Sequence, residues 1–392
     1  MGLSIARVRL QPSAKATVKT TIRIKRMAST KGNKKPLNIA VVGGGINGLC
    51  SAWMLALAGH RVTLYESDKL MGKTSTASSK LLHGGLRYLE NFEFRLVREA
   101  LQERQWWLEH VPALTRRLPI LYPIYQHTRS RWKIKLGLML YDLFAGKKGI
   151  GRHRWLSSKQ IKRISPNLIQ DNLKGGYLFF DGQMDDAALG LWVAQQCREL
   201  GVEILENCRV QKLDTQGYLE TVQNGKISQH QYQRIINVAG PWSAKLLSES
   251  AVSSTYHLDL VRGSHLILPS ISKFGHMLEV PNEKRIVFVV PFKQNMLIGT
   301  TEVRQTIDEP INCSAEEREY LLGLYNYYFE PDCQPESIIK EFSGLRPLLT
   351  GSDNPSKASR EYQIIKQDHL ISVFGGKWTT ARALGKTVLK RL

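Results

Sequence analysis

Three glycines, Gly43, Gly45 and Gly48, follow the apolar run 37–42 (LNIAVV) in GxGxxG spacing, and Glu66 stands 18 residues past the last of them. The chemistry this pattern serves is dinucleotide binding. The first glycine turns the chain tightly out of a strand, the second lets backbone approach a pyrophosphate, and the third lets helix and strand pack closely. Ile46 and Asn47 open the following helix, whose free N–H groups and positive dipole end suit phosphate. An acid at the position of Glu66 binds a ribose hydroxyl, which favours FAD or NAD over NADP. A second block, 74–90 (TSTASSKLLHGGLRYLE), crowds small hydroxyl residues before Lys80, His83, Gly84, Gly85, Arg87 and Tyr88. Serines such as Ser78 and Ser79 among glycines let backbone reach a flat ring or a phosphate.

The elements that must position these residues are legible around them. Residues 37–42 read as a buried strand, 46–59 as a buried helix closed by Gly59, and 61–65 (RVTLY) as a second strand ending at Glu66. The stretch 37–59 is uncharged and long enough to cross a bilayer, but its glycines and Asn47 favour strand, turn and helix. Residues 203–240 suggest a small meander, and 257–303 alternate as an antiparallel sheet. Residues 370–374 (LISVF) read as a strand entering Gly375–Gly376, with a last helix over 377–391.

The 392 residues allow two or three units with cores of their own, and the net charge is +21. Residues 1–35 carry ten Lys/Arg and no acid. They read as a transit-like leader, an extended start with Met27 as the first residue, or a disordered basic tail, and are set apart from the fold. Five cysteines without a CxxC pair fit reduced thiols and exclude a disulfide framework or zinc site. Residues 113–165 hold thirteen Lys/Arg and one acid, Asp142, with aromatic and aliphatic residues interleaved. Between Arg129 and Phe144 the apolar residues fall near helical spacing, the pattern of an interfacial helix on anionic lipid. The competing reading is a solvated face over a core helix. No nucleic-acid module is visible.

With these blocks the sequence resembles the FAD-dependent glycerol-3-phosphate dehydrogenases of the D-amino-acid-oxidase-like (DAO) flavoproteins. The resemblance runs on through EFRLVREAL (93–101), NVAGPW (237–242), RGSH (262–265), KRIVFVVPF (284–292), IGTTEV (298–303), SGLRP (343–347) and FGGKWTT (374–380). It implies an α/β fold: a Rossmann-like FAD-binding domain of DAO/glutathione-reductase type over 36–105, 173–250 and 345–392, and an antiparallel-sheet substrate domain over 251–344. Residues 106–172 are expected to form a basic, helical, membrane-facing segment. The family's further C-terminal helical domain is expected to be missing, since the sequence stops twelve residues beyond Thr380.

The resemblance also implies an activity: oxidation of sn-glycerol 3-phosphate to dihydroxyacetone phosphate, with non-covalent FAD and electrons passed to quinone. The place would be the inner face of the cell membrane, peripherally attached on the cytoplasmic side. It assigns Val210, Ala239, Gly240, Gly375, Gly376, Lys377 and Thr379 to the cofactor. Arg87, Tyr88, His265, Arg346, Arg360 and Lys377 fall in the pocket. His265 is the candidate base, and Arg346 or Lys377 would polarise the alkoxide. Thr379 and Thr380 donate to flavin or substrate, or only cap the last helix. Two other functions compete: a DAO-type enzyme acting on an amine or amino acid, and a silent binding module on a flavoprotein fold.

Overall fold

A computed structural model describes residues 35–392 except 92, 147–148, 255, 257, 270–271, 284 and 350–361, and at 87, 90 and 91 the backbone only. The basic N-terminal residues 1–34 and Arg360 therefore lie outside the described residues.

The first layer is a six-stranded sheet in the order Gln363–Gln367, Leu370–Phe374, Arg234–Asn237, Asn38–Val42, Arg61–Tyr65, Glu203–Leu205. Neighbours are parallel except at the Gln363–Gln367 edge. The central strand reads as an unbroken apolar run because both faces are covered. Ile39 and Val41 pack with the helices Ile46–Leu57, Asp186–Glu199 and Ala381–Arg391, where Trp53 meets Trp106 and Trp192 edge-on. Ala40 and Val42 pack on the other side with Val210 and Leu219, which belong to the three-stranded meander Arg209–Leu213, Tyr218–Gln223, Lys226–Gln231.

The second layer is a ten-stranded sheet. Its path runs Val303–Arg304, Leu258–Leu268, Asn295–Gly299, Ile286–Phe292, Gly275–Glu279, Thr115–Ile124, Gly175–Met184, Leu81–Leu82. Lys340–Leu349 pairs with Leu258–Leu268, and Arg154–Leu156 with Gly175–Met184. This sheet redraws the expected boundaries. Residues 115–124 lie in the segment expected to be helical (106–172), yet form a buried strand paired along its whole length with Gly175–Met184. Pro119 and Pro123 remove two helical donors there, and the alternation of Leu118, Ile120 and Tyr122 suits a sheet face. Residues 175–184 and 345–349 likewise belong to this sheet and not to the parallel one. The sheet is also not wholly antiparallel, since Gly275–Glu279 runs parallel to Thr115–Ile124.

Within the basic segment a helix does form, Arg131–Ala145, with the Ser130 hydroxyl accepting from Lys133 N. Leu138 and Tyr141 face inward, while Trp132, Leu136, Met139 and Leu143 are exposed, the first and last at 70% and 72%. The last helix starts at Ala381, four residues later than expected, because Gly375 and Gly376 hold positive φ and 377–380 form a turn.

One buried group sets a pH limit on this fold. His276 is buried edge-on to Phe329, its Nε2 2.9 Å from Ser165 Oγ, and burial pushes its pKa down to about 4. The unfolded chain takes up this proton near 6.5, so the contribution to stability is complete above that pH and is lost as pH falls toward 4. The loss amounts to about 3 kcal/mol. Chemical denaturation at the two ends of that range should show His276→Gln losing less stability than the parent. An equal loss in both would remove His276 as the cause.

Candidate functional site

The site forms where the two sheets meet. Gly43 has φ +115°, and a Cβ there would stand 2.6 Å from Val238 O. A Cβ on Gly48 would come within 1.8 Å of Gly43 O, so the third glycine seats the helix against the turn. One on Gly45 would press the Ser75 hydroxyl, which accepts from Ile46 N at 3.0 Å. Gly45 is the cap of the helix and offers no side chain of its own, so beyond the amide taken by Ser75 the helix end suits an anion. The Glu66 carboxylate accepts from Gly44 N at 2.7 Å and Asp68 N at 2.9 Å, which fixes it at the end of its strand.

A cleft of about 970 Å³ opens from this turn. Gly43, Gly45, Ile46, Asn47, Glu66, Ser78, Ser79, Val210, Ala239, Gly240, Gly375, Gly376, Lys377 and Thr379 all line it. Tyr88, His265 and Arg346 line the same cleft. Bare backbone at the glycine turn, an open helix end and an acid beside them fit a dinucleotide.

Several expected residues do other work. Lys80 is buried away from the cleft, its Nζ donating to both Asp186 oxygens at 2.8 Å, which pins the loop to helix Asp186–Glu199. A buried ammonium must be paired, and this pairing leaves it no role toward a phosphate. Gly84 and Gly85 serve packing: a Cβ on Gly84 would stand 2.0 Å from Tyr141 Oη, and one on Gly85 2.6 Å from the Tyr88 ring. Thr380 is buried at the cap of the last helix, where its carbonyl accepts from Leu384 N. Arg87 sits in the short helical turn Leu86–Asn91, but its side chain lies outside the described residues, as does the whole of Arg360.

The cationic wall is larger than the sequence suggested. Lys377 Nζ lies 3.9 Å from the Tyr88 ring centroid. Arg346 donates from Nη2 to Thr301 O at 3.0 Å and approaches Glu302 Oε1 at 3.6 Å. Arg285, missed in the sequence, donates to Thr300 O at 3.0 Å and stands 3.8 Å from the other Glu302 oxygen. One carboxylate thus spaces two guanidinium groups. Arg285 begins an apolar strand, and a cation entering such a strand was the available signal.

Two histidines line the cleft and differ in kind. His265 is 3% exposed, flat against Phe342, with Nε2 3.0 Å from Ser79 Oγ. Burial, then the charges of Lys80 and Arg346, push its pKa down to about 3. Burial thus favours its neutral form, and its Nε2 is already engaged by Ser79. His83 is more open, with Nδ1 3.4 Å from Asp181 Oδ2 and its ring 5.0 Å from Phe288. Burial raises the Asp181 pKa, but hydrogen bonds from His83 and the Arg104 charge hold it below the usual carboxylate range. Nothing local to His83 in the sequence reveals Asp181, 98 residues away.

The family of FAD dependent oxidoreductases (DAO) matches residues 38–391. The chain belongs to this family. The flavoenzyme is 36% identical to the glycerol-3-phosphate dehydrogenase of Pseudomonas tolaasii, over 91% of this chain and 71% of that one. It is 35% identical to the aerobic glycerol-3-phosphate dehydrogenase of Escherichia coli K12 and 36% identical to the D-erythritol 1-phosphate dehydrogenase of Brucella abortus, each over 91% of this chain and 73% of the relative. Among solved structures, it superposes on the glycerol-3-phosphate dehydrogenase of Bacillus halodurans complexed with FAD with a TM-score of 0.73 at 24% identity, covering 91% of this flavoenzyme and 64% of that chain. At that identity the likeness speaks for the fold. Among the described residues no cluster of His, Cys, Asp and Glu could hold a metal, and the five cysteines are free.

Proposed function

We propose that this flavoenzyme oxidises sn-glycerol 3-phosphate to dihydroxyacetone phosphate, with FAD held non-covalently and its electrons passed on to quinone. One observation carries the reading: Arg285, Arg346 and Lys377 line the same cleft as the dinucleotide cradle. A phosphate dianion calls for such forks and charges, while the single carboxylate of an amino acid needs fewer. FAD, when bound, supplies the acceptor for the hydride leaving C2. The chain supplies the rest. The guanidinium groups hold the phosphate, His83 takes the hydroxyl proton at Nε2, and Lys377 or Arg346 polarises the alcohol oxygen.

A longer polyol phosphate is the second reading, favoured by the equal identity to the erythritol 1-phosphate enzyme. Anaerobic mixing of the purified flavoenzyme with each substrate separates these. Glycerol 3-phosphate should bleach the flavin absorbance fastest, D-erythritol 1-phosphate more slowly, and glycine or proline not at all. Bleaching by an amino acid alone would overturn the assignment.

The helix Arg131–Ala145 supports peripheral attachment to the inner membrane face. Its exposed Trp132, Leu136, Met139 and Leu143 recur on one side, and Arg131, Lys133, Arg152 and Arg154 are exposed nearby in sequence. No helix among the described residues is long and apolar enough to cross a membrane. Each basic group adds about 1 kcal/mol on anionic lipid. Replacing Leu136 and Leu143 with glutamate should cut co-sedimentation with phosphatidylglycerol vesicles at least about tenfold. Binding that ignored both the substitutions and the lipid charge would remove this helix as the docking element.

A further inference from the structure

The buried charge beneath His83 is more elaborate than a stabilising pair requires. Arg104, on helix Phe94–His110, is 1% exposed and donates from Nη1 to Asp181 Oδ1 at 2.9 Å and to Tyr141 Oη at 2.7 Å. Tyr141 Oη in turn donates to Asp181 Oδ1 at 3.3 Å, and Gly84 N donates to the same oxygen at 3.0 Å. Every group around Oδ1 is therefore a donor. The second oxygen, Oδ2, is the one aimed at His83 Nδ1. Tyr141 is also the inward residue of the helix whose other face is exposed and apolar, and it presses on Gly84 so closely that no side chain fits there.

We propose that Asp181, clamped by Arg104 and Tyr141, is a positioning residue that fixes His83 in the Nδ1–H tautomer, leaving Nε2 unprotonated toward the cleft. The inference rests on the reading of His83 as proton acceptor in the proposed reaction. A counter-ion for Arg104 alone would need neither the second oxygen turned to a cleft-lining imidazole nor the tyrosine that seats the loop 83–85. The geometry dictates the tautomer by elimination. With Oδ1 saturated by donors and Oδ2 an acceptor, Nδ1 must carry the proton, and the proton taken from substrate has one place to go, Nε2.

The test is Asp181→Asn in the full flavoenzyme. Because Arg104 and the N–H groups of Gly84 and Gly182 can only donate at Oδ1, the new amide must turn its NH₂ toward His83, which inverts the tautomer. Nitrogen-15 histidine NMR should show the His83 pattern inverted, with kcat about 100-fold lower and KM within about twofold. In a His83→Ala background the same substitution should cost nothing further. Tyr141→Phe, a milder change that covers failure of the first variant to fold, should lower kcat about threefold to tenfold, again only while His83 is present. An unchanged tautomer in Asp181→Asn, or losses that add to that of His83→Ala, overturns the relay. The NMR result needs no substrate. An inverted tautomer in a flavoenzyme that no polyol phosphate reduces would keep the relay and sink the proposed reaction.

Discussion

Arg346→Ala should lower kcat/KM for glycerol 3-phosphate about 1,000-fold while the protein stays yellow. Loss of a fork that binds two phosphate oxygens removes roughly 4 kcal/mol of transition-state binding. The side chain lies on strand Lys340–Leu349 and is held from behind by Thr301 O and Glu302, so it arrives in the cleft already oriented. Glu302 keeps Arg285 as a partner after the substitution, which limits structural damage. Arg346→Lys should recover only part of the loss, since an ammonium restores charge but not the fork. Steady-state kinetics with flavin content measured alongside decides the matter. Loss of flavin in step with activity would move Arg346 from substrate to cofactor binding.

The second large effect separates the two histidines. His83→Gln should lower kcat by about 100- to 1,000-fold, the range expected for removing a proton acceptor. His265→Gln should cost only about tenfold, since the buried ring is engaged at Nε2 by Ser79 and serves by that hydrogen bond. The comparison is between pre-steady-state rates of flavin bleaching at saturating substrate. The reverse order, with His265→Gln the more damaging, would restore the base first read from the RGSH block. Acid precipitation of the parent should release the flavin to the supernatant, as expected of FAD held without a covalent bond.

Contacts between distant parts of the chain decide what several of these residues do. Lys80 follows a serine-rich loop in a block expected at the cofactor, but its partner Asp186 lies 106 residues on and only the fold brings them together. Gly84 and Gly85 looked like backbone for a ring, yet what crowds Gly84 is Tyr141 from another helix. Residues 115–124 looked helical within a basic stretch, because the strand that pairs with them comes 60 residues later. Arg285 and Glu302 lie in short blocks that name no partner for either, and they become a pair of cleft residues through the sheet that sets them beside Arg346.

What the sequence determined by itself was local. Gly43, Gly45, Gly48 and Glu66 sit within one strand, turn, helix and strand, where backbone sterics and a helix dipole dictate the residue types. The apolar period of 131–145 likewise fixed a helix from its own residues. Only the tertiary structure decided which cations share a cleft and which carboxylate stands beside which histidine. Those are properties of burial and of charges at a few ångströms, and such distances are set by chain segments roughly a hundred residues apart.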